Sequence, residues 1–165
     1  MELITGHKGE NHITADDDAS KFAALIGKGE YVLDKGNKFK CINDGYNEVV
    51  ILDGDAIFQG RHCRIRLDER ESRVIEAGSQ GEWRNDLVCI KYTRNGDIES
   101  AEIEVVKGTP GLTAEDPEYT IGNIEDGATE HYMPLYRVIV EGISIKDIVP
   151  VYKLYHRIPN FSSGT

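Results

Sequence analysis

Along most of the chain apolar and polar residues alternate in short runs, interrupted by turn formers at Gly36-Asn37, Asp44-Gly45, Asp53-Gly54, Gly78, Asn95-Gly96, Asp126-Gly127 and Gly142. A period of two sends successive side chains to opposite faces of a strand. The pattern therefore predicts an all-β (mainly β) domain, a β-sandwich or barrel-like body of antiparallel hairpins. The clearest hairpin joins Asp86–Arg94 to Asp97–Lys107 through Asn95-Gly96, a pair suited to a type I′ turn. That loop would set Ile90 opposite Ala101 and Val88 opposite Ile103 on one face, with Leu87 and Cys89 facing Glu104 and Glu102 on the other. Further on, Leu135–Val140 is expected to turn at Glu141-Gly142 into the alternating Ile143 and Ile145. A Val151–Tyr155 strand would then complete a β-meander.

One stretch departs from this period. Thr14-Ala15-Asp16-Asp17 is a variant capping box, Asp16, Asp17 and Asp18 suit the positive end of a helix, and Ala19, Phe22, Ala23 and Ile26 share one helical face. A short helix over Ala15–Ile26 follows, closed by Gly27 in a left-handed conformation. The chain is thus expected to divide into an N-terminal segment with the helix (1–28), a β domain (29–158) and a frayed tail (159–165). Thr109–Asp116 reads as an ordered surface loop.

Composition narrows the function classes. With 165 residues, 39% hydrophobic and 29% charged, the chain can form one domain without disulfides or a structural metal. A net formal charge of −10, with Lys and Arg dispersed, argues against a nucleic-acid partner. Cys41, Cys63 and Cys89 leave one thiol unpaired in any disulfide scheme and match neither zinc nor redox spacing, which points to a reducing compartment. The N-terminus shows no basic start followed by an apolar run, so neither a signal peptide nor membrane insertion is expected.

Each candidate for chemistry has a plainer reading. Asp16-Asp17-Asp18 lacks the alternation of a calcium loop and reads as helix capping. His7 and His12 beside that acidic run have ligand chemistry but no diagnostic spacing. His62 and Cys63 look like base and nucleophile, yet neighbours in a strand point to opposite faces, and Cys63 reads as a small hydrophobe. Trp83, Tyr132, Tyr136, Tyr152 and Tyr155 could stack on a sugar or a partner, although strand spacing favours packing. Trp83, Tyr132 and Tyr136, with Asp17 and Phe22 on the helix, are the expected ligand or partner contacts. No catalytic residue, cofactor or metal is expected.

Several stretches are similar to a family of bacteriophage and prophage tail or baseplate proteins that carry a globular domain of this length at the N-terminus. The opening Thr5-Gly6-His7-Lys8-Gly9-Glu10-Asn11-His12-Ile13-Thr14, then Gly29-Glu30-Tyr31-Val32-Leu33 and Asp53-Gly54-Asp55-Ala56-Ile57-Phe58-Gln59-Gly60-Arg61, resemble its first segment and strands. Arg84-Asn85-Asp86-Leu87, continuing to Tyr92-Thr93, resembles the family's Arg-x-Asp-Leu strand. Val105-Val106-Lys107-Gly108-Thr109-Pro110 and Met133-Pro134-Leu135-Tyr136-Arg137-Val138 complete the likeness.

The resemblance implies a non-catalytic structural or adaptor subunit of the virion tail, made in the bacterial host cytoplasm and attached to other tail, baseplate or fibre proteins. It further implies a homo-oligomer, with a trimer favoured by analogy with threefold tail fibres; Met1–Ile26, with its acidic helix and polar, Gly-containing lead, is the expected assembly contact. Longer members carry a fibrous extension that does not follow the meander here, which places the chain as an adaptor. Two alternatives stand beside it: a carbohydrate-binding module that attaches to host-surface glycans, and a hydrolase of cell-wall or capsule sugars.

Overall fold

The computed structural model describes residues 12–156 together with Ile4 and Gly9. Its elements are α1 (Ala15–Ile26), β1 (Glu30–Leu33), β2 (Cys41–Asn43), β3 (Glu48–Phe58), β4 (Arg61–Val74), β5 (Trp83–Asn95), β6 (Ile98–Val106), β7 (Glu130–Glu141), β8 (Ser144–Pro150) and β9 (Leu154–Tyr155). The fold is mainly β with one helix, a curled, sandwich-like arrangement of two sheets. In the first sheet β3 is central, with β4 along one edge and β2 and β1 along the other, and β9 beyond β1. The second has the order β6-β5-β7-β8.

Alternation decides which side chains meet between the sheets. Val49, Ile51, Ala56 and Phe58 of β3 face Val88, Ile90 and Tyr92 of β5 and Val138 and Val140 of β7 in one buried core. On the outer face of the second sheet, Leu87, Cys89 and Tyr132 form a smaller cluster. That face is crossed by a strap, residues 107–129. The strap leaves β6, exchanges two backbone hydrogen bonds between Gly111 and Trp83 (2.8 and 2.9 Å), and rejoins β7 where Tyr132 N–H donates to the Thr120 carbonyl. Midway, Asp116 accepts from Asn85 Nδ2 (2.9 Å) and pairs with Arg137. Thr109–Asp116 is therefore an ordered loop, as expected.

The helix spans the expected residues. Asp17 N–H donates to Thr14 Oγ1 (3.1 Å), Thr14 N–H donates to Asp17 Oδ2 (2.9 Å), and Gly27 N–H closes the last turn on Ala23 O (2.8 Å). Gly27, however, has φ +95° and ψ 166°, an extended positive-φ conformation and not the left-handed helical one.

Further expectations need correction. The β5–β6 loop is Gly96-Asp97, with Asn95 opposite Ile98, so Ile90 faces Ile103 and Val88 faces Val105. Gly96 has φ +61° while Asp97 keeps a negative φ, the pattern of a type II′ turn, in which only the first residue needs a positive value. The displacement is even, so every side chain keeps its face. The β7–β8 loop obeys the same rule: it is Gly142-Ile143, with Glu141 opposite Ser144.

Asp53-Gly54 is not a turn but lies within β3, at a bulge between Leu52 and Gly54. Phe39 N–H donates to Asp53 O there, and a Cβ on Gly54 would run into the Phe39 backbone nitrogen. Nor is the C-terminal third a continuous meander. After β8 the chain crosses to the first sheet, and β9 pairs parallel to β1, Val32 with Leu154 and Leu33 with Tyr155. The tail 159–165 lies outside the described residues.

Candidate functional site

A cleft of ≈ 930 Å³ lies between α1 and the end of the strap. Gly60 draws the helix in, since a Cβ there would meet the Ala19 carbonyl oxygen. Arg61 clamps it further by pairing with Asp16 (2.7 Å) on the helix and Glu99 (3.0 Å) on β6. On the opposite wall Gln59 holds the strap by both ends of its amide, donating to Gly122 O (2.8 Å) and accepting from Ile124 N–H (2.8 Å).

At the floor sits His131, 1% exposed and stacked on Phe58 at 6.1 Å. Gly122 N–H donates to its Nδ1 (3.1 Å), so Nδ1 is the acceptor, and Nε2 donates to Glu30. With both ring nitrogens engaged, His131 ties β7, β1 and the strap together and offers no lone pair to a substrate.

A second cleft, ≈ 450 Å³, opens between the strap and the 151–153 segment, with Tyr119, Tyr132 and Tyr152 around Leu87, Met133 and Pro134. Tyr132 donates to Glu104 Oε1 (2.9 Å), and Lys91 Nζ lies 5.4 Å from its ring centre. Burial pushes the Tyr132 hydroxyl above the ordinary phenol range, and the Glu104 carboxylate adds to this.

On the outer face of the first sheet His62 Nε2 bonds to Asp55 Oδ1 (2.8 Å), and Asp55 also pairs with Lys35 (3.2 Å). Burial alone would raise the Asp55 carboxyl, but its bonds to His62 and Lys35 prevail and hold it low. Cys63 turns to the core side, where burial pushes its thiol up to about 12. The strand's alternation thus separates His62 from Cys63.

The five residues expected to contact a ligand or partner are not gathered in one place. Trp83 lies on the outer face of the second sheet with Lys146 Nζ 4.2 Å from its ring centre. Tyr132 lies under the strap, while Tyr136 is in the core, edge-on to Tyr152 at 5.7 Å. Asp17 is engaged in the capping box, and Phe22 stands 6.3 Å from the His62 ring. Of the two histidines weighed for ligand chemistry, His7 lies outside the described residues and His12 Nε2 contacts Ile4 O (2.9 Å). Among the described residues no group of three or more His, Cys, Asp or Glu is placed to hold a metal ion.

The sequence reading missed the most buried polar pair. Arg84 and Asp86, 2% and 1% exposed, form a two-bond ion pair (2.7 and 2.9 Å) on the core side of β5. Arg84 also donates to Glu76 O (2.5 Å), and Asp86 accepts from Gly108 N–H (2.9 Å). The signal was present in the spacing, since two residues apart in a strand means the same face. No helix among the described residues is long and apolar enough to cross a membrane. No protein-family model matches the chain, and no curated protein matches it.

Proposed function

We propose that the chain is a non-catalytic structural or adaptor subunit of a phage or prophage tail, attached at the baseplate or fibre and acting by self-assembly and protein docking. The observation that supports this most is the fate of Arg84-Asn85-Asp86-Leu87, the stretch that carries the strongest resemblance. All four residues are buried, and each is engaged inside the molecule. Arg84 and Asp86 pair with each other, Asn85 holds Asp116 of the strap, and Leu87 packs in the outer cluster. A signature spent on internal contacts suits a scaffold, whereas a reaction centre needs its signature exposed to substrate.

Mass spectrometry of density-banded particles from the source bacterium tests this reading. The chain should co-purify in fixed ratio with tail proteins, and its confinement to the particle-free fraction would exclude the assignment.

The tyrosine-lined cleft favours a second reading, a module that binds host-surface glycans. Aromatic faces stack on sugar rings, and the cleft has the size of small-ligand sites, roughly 300–1,000 Å³. A glycan array with wild type and Tyr119→Ala separates the two, because an adaptor gives no signal that this change removes.

A further inference from the structure

The cleft of ≈ 930 Å³ between α1 and the end of the strap falls in the size range of small-ligand sites, roughly 300–1,000 Å³. Most of the charges on its walls are matched within the molecule. Asp16 is held by Arg61 (2.7 Å), and Lys28, just after the helix, pairs with Glu125 on the strap. Two lining charges are left over, one of each sign: Arg94 and Glu30.

Arg94, beside the β5–β6 turn, spends its Nε on the Gly96 carbonyl (2.9 Å) and forms no ion pair, not even with Asp97 in that turn. The Nη edge of its guanidinium is left for an anion. Glu30, at the start of β1, accepts from His131 through Oε1, and no lysine or arginine reaches it. That bond does not neutralise the carboxylate, because Gly122 N–H occupies His131 Nδ1 and the ring therefore holds a single proton. Oε2 is left for a cation. The acids beside the lining are engaged elsewhere: Glu99 shares Arg61 (3.0 Å) and accepts from the Tyr92 hydroxyl, and Glu130 lies 3.7 Å from Lys91.

The strand register sets the scale of their separation. Tyr92 of β5 is the partner of His131, which holds Glu30, and Arg94 lies two residues further along β5, on the same face as Tyr92. Two residues of strand amount to roughly 7 Å, and an extended peptide of two or three residues spans about 7–11 Å. A lone anion in the cleft would meet Glu30, and a lone cation would meet Arg94. A ligand with one charge at each end satisfies both, and the remaining lining includes the apolar Ala23, Ala24 and Ile121, which add no further charge.

We propose that this cleft binds a short zwitterionic peptide of two or three residues, its terminal carboxylate on the Arg94 guanidinium and its terminal ammonium on Glu30. The two Nη groups of Arg94 match the two oxygens of a carboxylate, and both contacts are charge-assisted hydrogen bonds. The site is complete within one copy of the chain and does not depend on the tail assignment, so the particle measurement and this one fail separately.

An NMR titration of the full chain with triglycine tests the site. Saturable shifts are expected at the Arg94 and Gly122 amides. N-acetyl-triglycine and triglycine amide, which each lack one charge, should bind about tenfold or more weakly than triglycine. Arg94→Gln should bind triglycine and its amide equally. Glu30→Gln, which keeps an acceptor for His131 Nε2–H, should bind triglycine and its acetylated form equally. Arg94→Gln removes only one exposed bond, so it carries the test if Glu30→Gln melts early. No saturable shift with triglycine, a blocked form that binds the wild type as tightly, or a preference for the free carboxylate that survives Arg94→Gln overturns the proposal. Acetate binding as tightly as triglycine overturns it too, because the cleft then takes a simple anion.

Discussion

Arg84 and Asp86 lie where no water screens them, and their ion pair is completed by the Glu76 carbonyl and the Gly108 amide. Removing one member leaves the other charged and unmatched in the core, a loss of about 3–5 kcal/mol, whereas replacing both by apolar residues of similar volume costs far less. Asp86→Ala should therefore lower the urea midpoint more than Arg84→Met/Asp86→Leu does, followed by Trp83 fluorescence. Equal midpoints would mean that the pair contributes little. Pairs two residues apart on a strand are legible in a sequence. The bond from His131 to Glu30, across 101 residues, is not, because only the docking of β7 beside β1 creates it.

At the scale of elements, the helix was legible in its bounds and its N-terminal cap, since a capping box is local chemistry, but not in the conformation of Gly27 that closes it. Hairpin turns were legible to within one residue but not in type. Asn95-Gly96 suggested a type I′ loop and Glu141-Gly142 a turn, yet in both hairpins glycine takes the first loop position, one residue further on. Asp53-Gly54 misled because its glycine answers a close approach by Phe39 and not a reversal of the chain.

The strap is open to pH through Asp116. The Arg137 guanidinium holds the Asp116 carboxyl below the usual carboxylate range; burial opposes this, and the Asn85 amide reinforces it. The folded value lies below the unfolded one, about 3.9, so the contribution is complete above that pH and is lost as the pH falls through the folded value. Hydrogen exchange should show protection at the Gly111 and Tyr132 amides falling in that acid window, and Asp116→Asn should remove the pH dependence. Unchanged protection in the wild type down to the pH of global unfolding would dismiss the role of Asp116.

For the whole molecule, β9 and the segment before it join the two sheets. Val151 N–H donates to Leu135 O in the second, Tyr152 packs edge-on against Tyr136, and Val32 N–H donates to Lys153 O in the first. A variant ending at Pro150 uncovers Val32 and Tyr136 together. Its melting temperature should fall by about 10 °C or more, and calorimetry showing an unchanged transition would contradict this.

The parallel run of β1 and β9 also has a mechanical meaning. The chain enters β1 at one end of the pair and leaves β9 at the other, so tension between the flanking segments runs along both strands in opposite senses. The Val32–Lys153 bond and its neighbours are then sheared as a group and not peeled one by one. A pull on the chain's two ends thus meets the join between the sheets before it reaches either hairpin.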